Sequence, residues 1–354
     1  MIRRFILPLL AALMALLPGA HAQPVDGGRA MVELIAERER VEPGETLYAA
    51  IKMELDDGWH VYWRNAGDAG LPPEVRVLDG SDVTEAALGP FVWPIPHLLP
   101  VVDGEIMDYG YDDQLVLPFP LTIPADAMGS VQLNFLADYL ICEEICIPET
   151  AELSLTLPVG PSEPHIAHGT LIGKWIAKAP RDFEGEARID ASNRPWKLSL
   201  KTEGGFDTDS DLRFYPFGHE ISHPADQPLS FGREGATLSL TPADESLNGP
   251  LEGIIVIETA DGTRTGYTLA AGQGSVFEHT SGIAARAAAT GAGGKSLIAL
   301  AIAAVIGGLI LNLMPCVLPV LSIKAMGMVH AVASGHESEV RSHGLWYTGG
   351  VLLS

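Results

Sequence analysis

Hydrophobic and polar residues alternate with a period of two along much of the chain. Leu47, Ala49, Ile51, Met53 and Leu55 occupy every second position, as do Val131, Leu133, Phe135, Ala137 and Tyr139, and then Leu153, Leu155 and Leu157. Alternate side chains of an extended backbone point to opposite faces, so each run predicts a strand with one face in a core and the other toward solvent. Turn formers separate the runs, among them Glu42-Pro43-Gly44-Glu45 and Asp56-Asp57-Gly58, and the short spacing suits antiparallel hairpins rather than βαβ units.

The segment 158–164 holds three prolines and a glycine and reads as a linker. Beyond it Leu171, Ile172, Trp175 and Ile176 repeat at helical spacing, and 197–202, 236–241 and 253–259 read as a second set of strands. The fold class expected is mainly β, with two immunoglobulin-like antiparallel β-sandwich domains at 23–160 and 165–280. An Ala- and Gly-rich stretch at 281–295 reads as a tether. The second half carries no cysteine and no cluster of metal-ligand residue types, so a scaffold or partner platform is expected there.

Two further apolar runs break the period of two. Arg3 and Arg4 precede an apolar stretch at 5–17, and Ala20-His21-Ala22 follows it. Basic start, short apolar run and small residues at an A-x-A-like site predict a signal peptide over 1–22, with a mature N-terminus at Gln23. No charged residue lies between Lys295 and Lys324, which exceeds the roughly 20 residues that span a bilayer as a helix. A first transmembrane segment is therefore expected at 296–329. The apolar residues 345–354 predict the start of a second, truncated one. The expected topology is a bacterial inner-membrane protein with its N-terminal domains periplasmic, and the chain is expected to be a fragment whose further membrane segments lie beyond Ser354.

The formal net charge is −23, and loss of Arg3 and Arg4 with the signal makes the exported part more acidic. Nucleic acid is thereby excluded as a partner class. The lipid bilayer is the partner that the apolar runs imply.

The three cysteines carry the candidate chemistry. Cys142 and Cys146 stand where a strand pattern ends, in Ile141-Cys142-Glu143-Glu144-Ile145-Cys146-Ile147-Pro148. Three intervening residues let the Cα atoms approach the roughly 4.4 to 6.8 Å of a disulfide, across a tight loop or on one helical turn. A structural staple, a redox pair and a metal site all remain open, although no nearby His or Cys completes a zinc tetrahedron and no metal is expected. Closing so short a loop constrains the unfolded chain little, so such a bridge is cheap to open. The flanking Glu143 and Glu144 disfavour a thiolate and suit an electron donor. Cys316 lies in the membrane run between Pro315 and Pro319. Two prolines at membrane depth break a helix and free backbone groups that need protein or water around them.

Three stretches resemble a known family: Gly58-Trp59-His60-Val61-Tyr62-Trp63-Arg64-Asn65 with Gly70-Leu71-Pro72-Pro73, the cysteine loop from Tyr139 through Glu149, and Asn312-Leu313-Met314-Pro315-Cys316-Val317-Leu318-Pro319. They are similar to the DsbD-type thiol:disulfide interchange proteins, particularly the ScsB-like branch, and the membrane motif is similar to the first transmembrane segment of the DsbD and CcdA group. The cysteine spacing is shorter than in the best-known DsbD domain. The resemblance implies a protein-disulfide reductase that relays electrons across the inner membrane, with Cys142, Cys146 and Cys316 as catalytic residues. It implies Cys146 as nucleophile, Cys142 as resolving thiol and Cys316 as half of a membrane pair whose partner lies past Ser354. It further implies a cap loop over the disulfide at Asp108, Tyr109 and Tyr111, a stretch that reads equally as an ordinary turn with core tyrosines.

By the same resemblance, electrons come from cytoplasmic thioredoxin through further membrane segments. They pass to periplasmic disulfide proteins such as isomerases, peroxidases or apocytochrome maturation factors, in support of cytochrome c assembly. No cofactor is expected. The competing function is a membrane-tethered periplasmic binding module, for example in copper tolerance, with a structural disulfide.

Overall fold

Each alternating run is a strand in the computed structural model, which describes residues 23–243 and 246–284. Thr46–Leu55, Ser130–Cys142 and Cys146–Pro158 are the three longest strands of the first half. The last two form one hairpin, paired residue for residue from Ser130 against Pro158 to Cys142 against Cys146. Val131, Leu133, Phe135, Leu153, Leu155 and Leu157 of this hairpin are all buried, because the pleat sends every second side chain to the same face.

Two sheets enclose that core. One has four strands in the order Val25–Asp26, Ala30–Ala36, Thr46–Leu55, Gln114–Thr122. The other runs Cys146–Pro158, Ser130–Cys142, His60–Gly67, Ile106–Asp112, His97–Val101, with Glu74–Val77 paired to Ser130–Cys142 off this path. Simple alternation leaves the outer face of the four-stranded sheet wet, yet Ile35, Ala50 and Val116 are also fully buried there. The expected helix, Ile166–Ile176, explains it: the helix packs against this sheet and places Ile172 and Trp175 in the same core cluster. Each of those side chains contributes about 2 kcal/mol by leaving water. The 158–164 segment is fastened on the way, since Glu163–Pro164 pairs with Arg38–Arg40.

Strands Trp196–Lys201, Gly235–Leu240 and Leu251–Glu258 answer to the expected second set. They belong to a nine-stranded sheet. Leu198, Leu238, Phe214 and Ile255, from distant strands of that sheet, share one core, so the sheet folds over on itself. It is not wholly antiparallel as expected: Arg181–Asp182 and Glu186–Asp190 pair in parallel with Arg264–Gln273.

The two halves meet through apolar and polar contacts. Tyr215, Ile254 and Val256 of the second half join the first core, and Trp63 stands edge-on to Tyr215 with centroids 6.4 Å apart. Asn65, 4% exposed, donates from Nδ2 to the carbonyls of Pro216 at 2.8 Å and Gly218 at 2.7 Å. Its Oδ1 accepts from the Gly67 N–H at 3.0 Å. Asn65→Leu strands two buried backbone groups and the part-buried Gly218 carbonyl, and an unmet buried group costs about 1–3 kcal/mol. A loss of about 3 kcal/mol or more is therefore expected in denaturant unfolding; a loss under about 1 kcal/mol would show that these contacts do not tie the halves together.

Among the described residues no helix is long and apolar enough to cross a membrane. The expected signal peptide 1–22, the membrane segments 296–329 and 345–354, and Pro315, Cys316 and Pro319 lie outside the described residues.

Candidate redox site

The cysteine pair stands at the tip of the long hairpin. Cys142 and Cys146 are directly opposed in the ladder and joined by a disulfide, their Cα atoms 4.1 Å apart. The loop is thus the tight hairpin alternative, with Glu143, Glu144 and Ile145 exposed at its turn. The two sulfurs differ in access: Cys142 is 2% exposed, whereas Cys146 is exposed. The asymmetry follows from the neighbouring strand. His60–Gly67 pairs Val61 with Ile141 and His60 with Cys142, which covers Cys142 and leaves Cys146 at the sheet edge.

Tyr62 comes from that covering strand. Its hydroxyl donates to Cys142 Sγ at 2.8 Å and lies 3.5 Å from Cys146 Sγ. Burial, aided by the nearby Asp108 charge, pushes its phenol up to about 12. Tyr62 therefore remains a proton-bearing donor at neutral pH and can stabilise charge on sulfur when the bridge opens.

A glycine turn holds the ring in place. Gly70 has φ +95°, and a Cβ there would fall 2.3 Å from the Tyr62 ring. The turn is laced to strand Ile106–Asp112, since Asp108 Oδ1 accepts from the Ala69 N–H at 2.9 Å and Asp68 Oδ2 from the Met107 N–H at 2.9 Å. Burial pushes the Asp108 carboxyl up to about 6, opposed by the Ala69 hydrogen bond. Beside the pair, Leu71, Pro72, Leu140 and Pro148 with Glu74 and Asp138 line a cleft of about 230 Å³, and Leu71 and Ile145 are 65% and 66% exposed.

Residues 31–158 match the family model described as "Thiol:disulfide interchange protein DsbD, N-terminal". The first half carries a DsbD-like N-terminal domain. Its disulfide, Tyr62 and the Gly70 turn all fall inside the matched span. The crystal structure of the N-terminal periplasmic domain of ScsB from Proteus mirabilis has the same fold, with a TM-score of 0.54 and 21% identity over 72% of this chain and 98% of that one. The sporulation control protein Spo0M from Bacillus subtilis aligns with a TM-score of only 0.19 and 13% identity, over 69% of this chain and 91% of that one. No curated protein matches the chain.

In this DsbD-like domain the segment expected as a cap loop is a strand. Asp108, Tyr109 and Tyr111 lie in Ile106–Asp112, between His60–Gly67 and His97–Val101. Tyr109 is fully buried, and its hydroxyl lies 3.1 Å from His223 Nδ1 in the second half. Tyr111 donates to the Pro94 carbonyl at 2.8 Å. Only Asp108 connects to the disulfide, through the 67–70 turn and Tyr62. The alternating Met107-Asp108-Tyr109-Gly110-Tyr111 pattern is itself a strand signal, with Tyr109 and Tyr111 on the core face.

Sequence reasoning missed Tyr62, Gly70 and His60 as individuals, although all three lie in the motifs that carried the resemblance. The available signal was position. His60 and Tyr62 alternate with Val61 and Trp63, so one pair of aromatic rings had to occupy the face opposite the core. Among the described residues no group of three or more His, Cys, Asp or Glu side chains could hold a metal ion.

Proposed function

We propose that this chain is a membrane-anchored protein-disulfide reductase whose periplasmic pair, Cys142 and Cys146, passes electrons to disulfide clients. The observation that supports this reading best is the unequal exposure of the two sulfurs under the Tyr62 hydroxyl. An exposed Cys146 can attack a client, and a buried, hydrogen-bonded Cys142 can wait to resolve the mixed disulfide. A structural staple needs neither feature. It also gains little, since closing this loop is worth about 2 kcal/mol against about 5 kcal/mol for a loop of about 100 residues.

In the proposed relay, Cys316 receives electrons from cytoplasmic thioredoxin and hands them to Cys142 and Cys146. Pro315 and Pro319 interrupt the helix so that a thiolate can reach the exported bridge. The sandwich domains at 23–160 and 165–280 follow the signal 1–22, and the segment 281–295 tethers them to the membrane run 296–329. Clients are periplasmic disulfide proteins, including those that serve cytochrome c assembly.

Trapping thiols in cells with an alkylating mass tag tests the reading. The pair should be largely reduced in cells with the complete protein and oxidised when Cys316→Ser is introduced, with the exported part still folded. In purified protein the bridge should open and close reversibly in thiol redox buffers. A pair equally reduced with and without Cys316, or a bridge that resists reduction until the domain unfolds, would overturn the relay.

A further inference from the structure

We infer that His60 is the base that takes the proton from Cys142 when Cys142 resolves the mixed disulfide; this rests on the redox reading given above. His60 is the direct cross-strand partner of Cys142. Val61 and Ile141, one residue along each strand, are buried in the core cluster, so the imidazole and the Cys142 thiol share the opposite face. Cross-strand partners stand with Cβ atoms about 5 Å apart, a separation that an imidazole spans directly or through one water.

Two observations set His60 apart from an ordinary strand histidine. Its Nε2 is buried without a hydrogen-bond partner, and such an atom is a cost that a structural role leaves unexplained. Its ring also packs edge-on against Tyr62, centroids 5.4 Å apart, so the imidazole touches the group that holds Cys142 Sγ.

The charged and titratable groups around it fit a base. From its own strand comes Tyr62, a donor at neutral pH. From the hairpin come Cys142, Cys146 and Glu143, whose carboxylate lies over Gly58. From strand Ile106–Asp112 comes Asp112, the cross-strand partner of His60 and itself 3.0 Å from His97 Nδ1 on the next strand. Burial lowers the imidazole below its ordinary 6.5, opposed by the Asp112 charge. His60 is therefore neutral at neutral pH, with a lone pair free to accept a proton.

The chemistry balances as follows. The Cys146 thiolate attacks a client disulfide, forms a Cys146–client bond and expels one client thiolate. The Cys142 S–H proton passes to His60 as Cys142 Sγ attacks Cys146 Sγ, closing the Cys142–Cys146 bond and expelling the second client thiolate. Two electrons leave the cysteine pair for the client, and the imidazolium returns its proton to solvent or to the departing thiolate.

The aromatic disulfide dithiobis(nitrobenzoate) separates these steps, because each releases one coloured thiolate. With Cys316→Ser introduced so that only the pair reports, and the chain in its reduced form, His60→Gln should slow the second release by about a hundredfold, the low end of the range for a lost base, and leave the first unchanged. In the parent, the second release should fall as pH drops through the imidazole range below 6.5. In the variant it should instead follow the thiol range near about 8.5. An unchanged second release in folded His60→Gln overturns the assignment. Should that variant fold poorly, a parent profile that inflects only in the thiol range overturns it as well. A parent that gives no bridge closure at all refutes the redox reading itself, an outcome distinct from failure of His60 alone.

Discussion

Cys146→Ser should abolish exchange with disulfide substrates, whereas Cys142→Ser should leave attack intact and accumulate a mixed disulfide that does not resolve. The expectation comes from access, because thiol–disulfide exchange needs the attacking sulfur to approach a disulfide directly. Cys146 stands exposed at the sheet edge, and Cys142 is covered by strand His60–Gly67. Non-reducing electrophoresis with a disulfide-bearing substrate reads both outcomes. In Cys142→Ser the adduct should persist, and in Cys146→Ser none should form. Equal adduct formation by the two variants would show that burial of Cys142 does not select the attacking sulfur.

Gly70→Ala should expose the Cys142 sulfur of the disulfide. The added Cβ would fall 2.3–2.6 Å from three atoms of the Tyr62 ring, at a backbone φ of +95° that L side chains rarely adopt. Ring and turn cannot both stay, so the shield must move, at a backbone cost of about 1–3 kcal/mol. Reduction by a water-soluble phosphine isolates access from thiol acidity, because the phosphine attacks the bridge without a thiolate. Attack on the exposed Cys146 sulfur is open in the parent, and Gly70→Ala adds attack on the uncovered Cys142 sulfur, so the rate should rise. Tyr62→Phe is the companion: it keeps the ring and loses the Sγ hydrogen bond, so the phosphine rate should hold while the Cys142 thiol becomes harder to ionise. A phosphine rate unchanged by Gly70→Ala would show that the turn does not control access.

How much of this was legible beforehand depends on the range of the interaction. The hairpin that presents the cysteines follows from alternation alone, since Val131 to Tyr139 and Leu153 to Leu157 mark one face without knowledge of any partner. Helix Ile166–Ile176 was equally visible. Its docking place was not, because burial of Ile35, Ala50 and Val116 on the outer sheet face depends on a segment fifty or more residues further along the chain. The cap failed for the same reason. Asp108, Tyr109 and Tyr111 have the composition of an aromatic lid, but three-stranded pairing turns their segment into sheet and sends Tyr109 toward His223. Tyr62 over Cys142 joins positions eighty apart, and only the register of strand His60–Gly67 reveals it.

Strand His60–Gly67 has a further consequence. Tyr62, which grips the sulfur, and Asn65, which is hydrogen-bonded to Pro216 and Gly218 of the second half, are three residues apart on one strand, about 10 Å. The two side chains are joined by a few residues of one strand, across the register shift that falls between Tyr62 and Gly67. The residue that joins the second half and the residue that guards Cys142 thus share one strand.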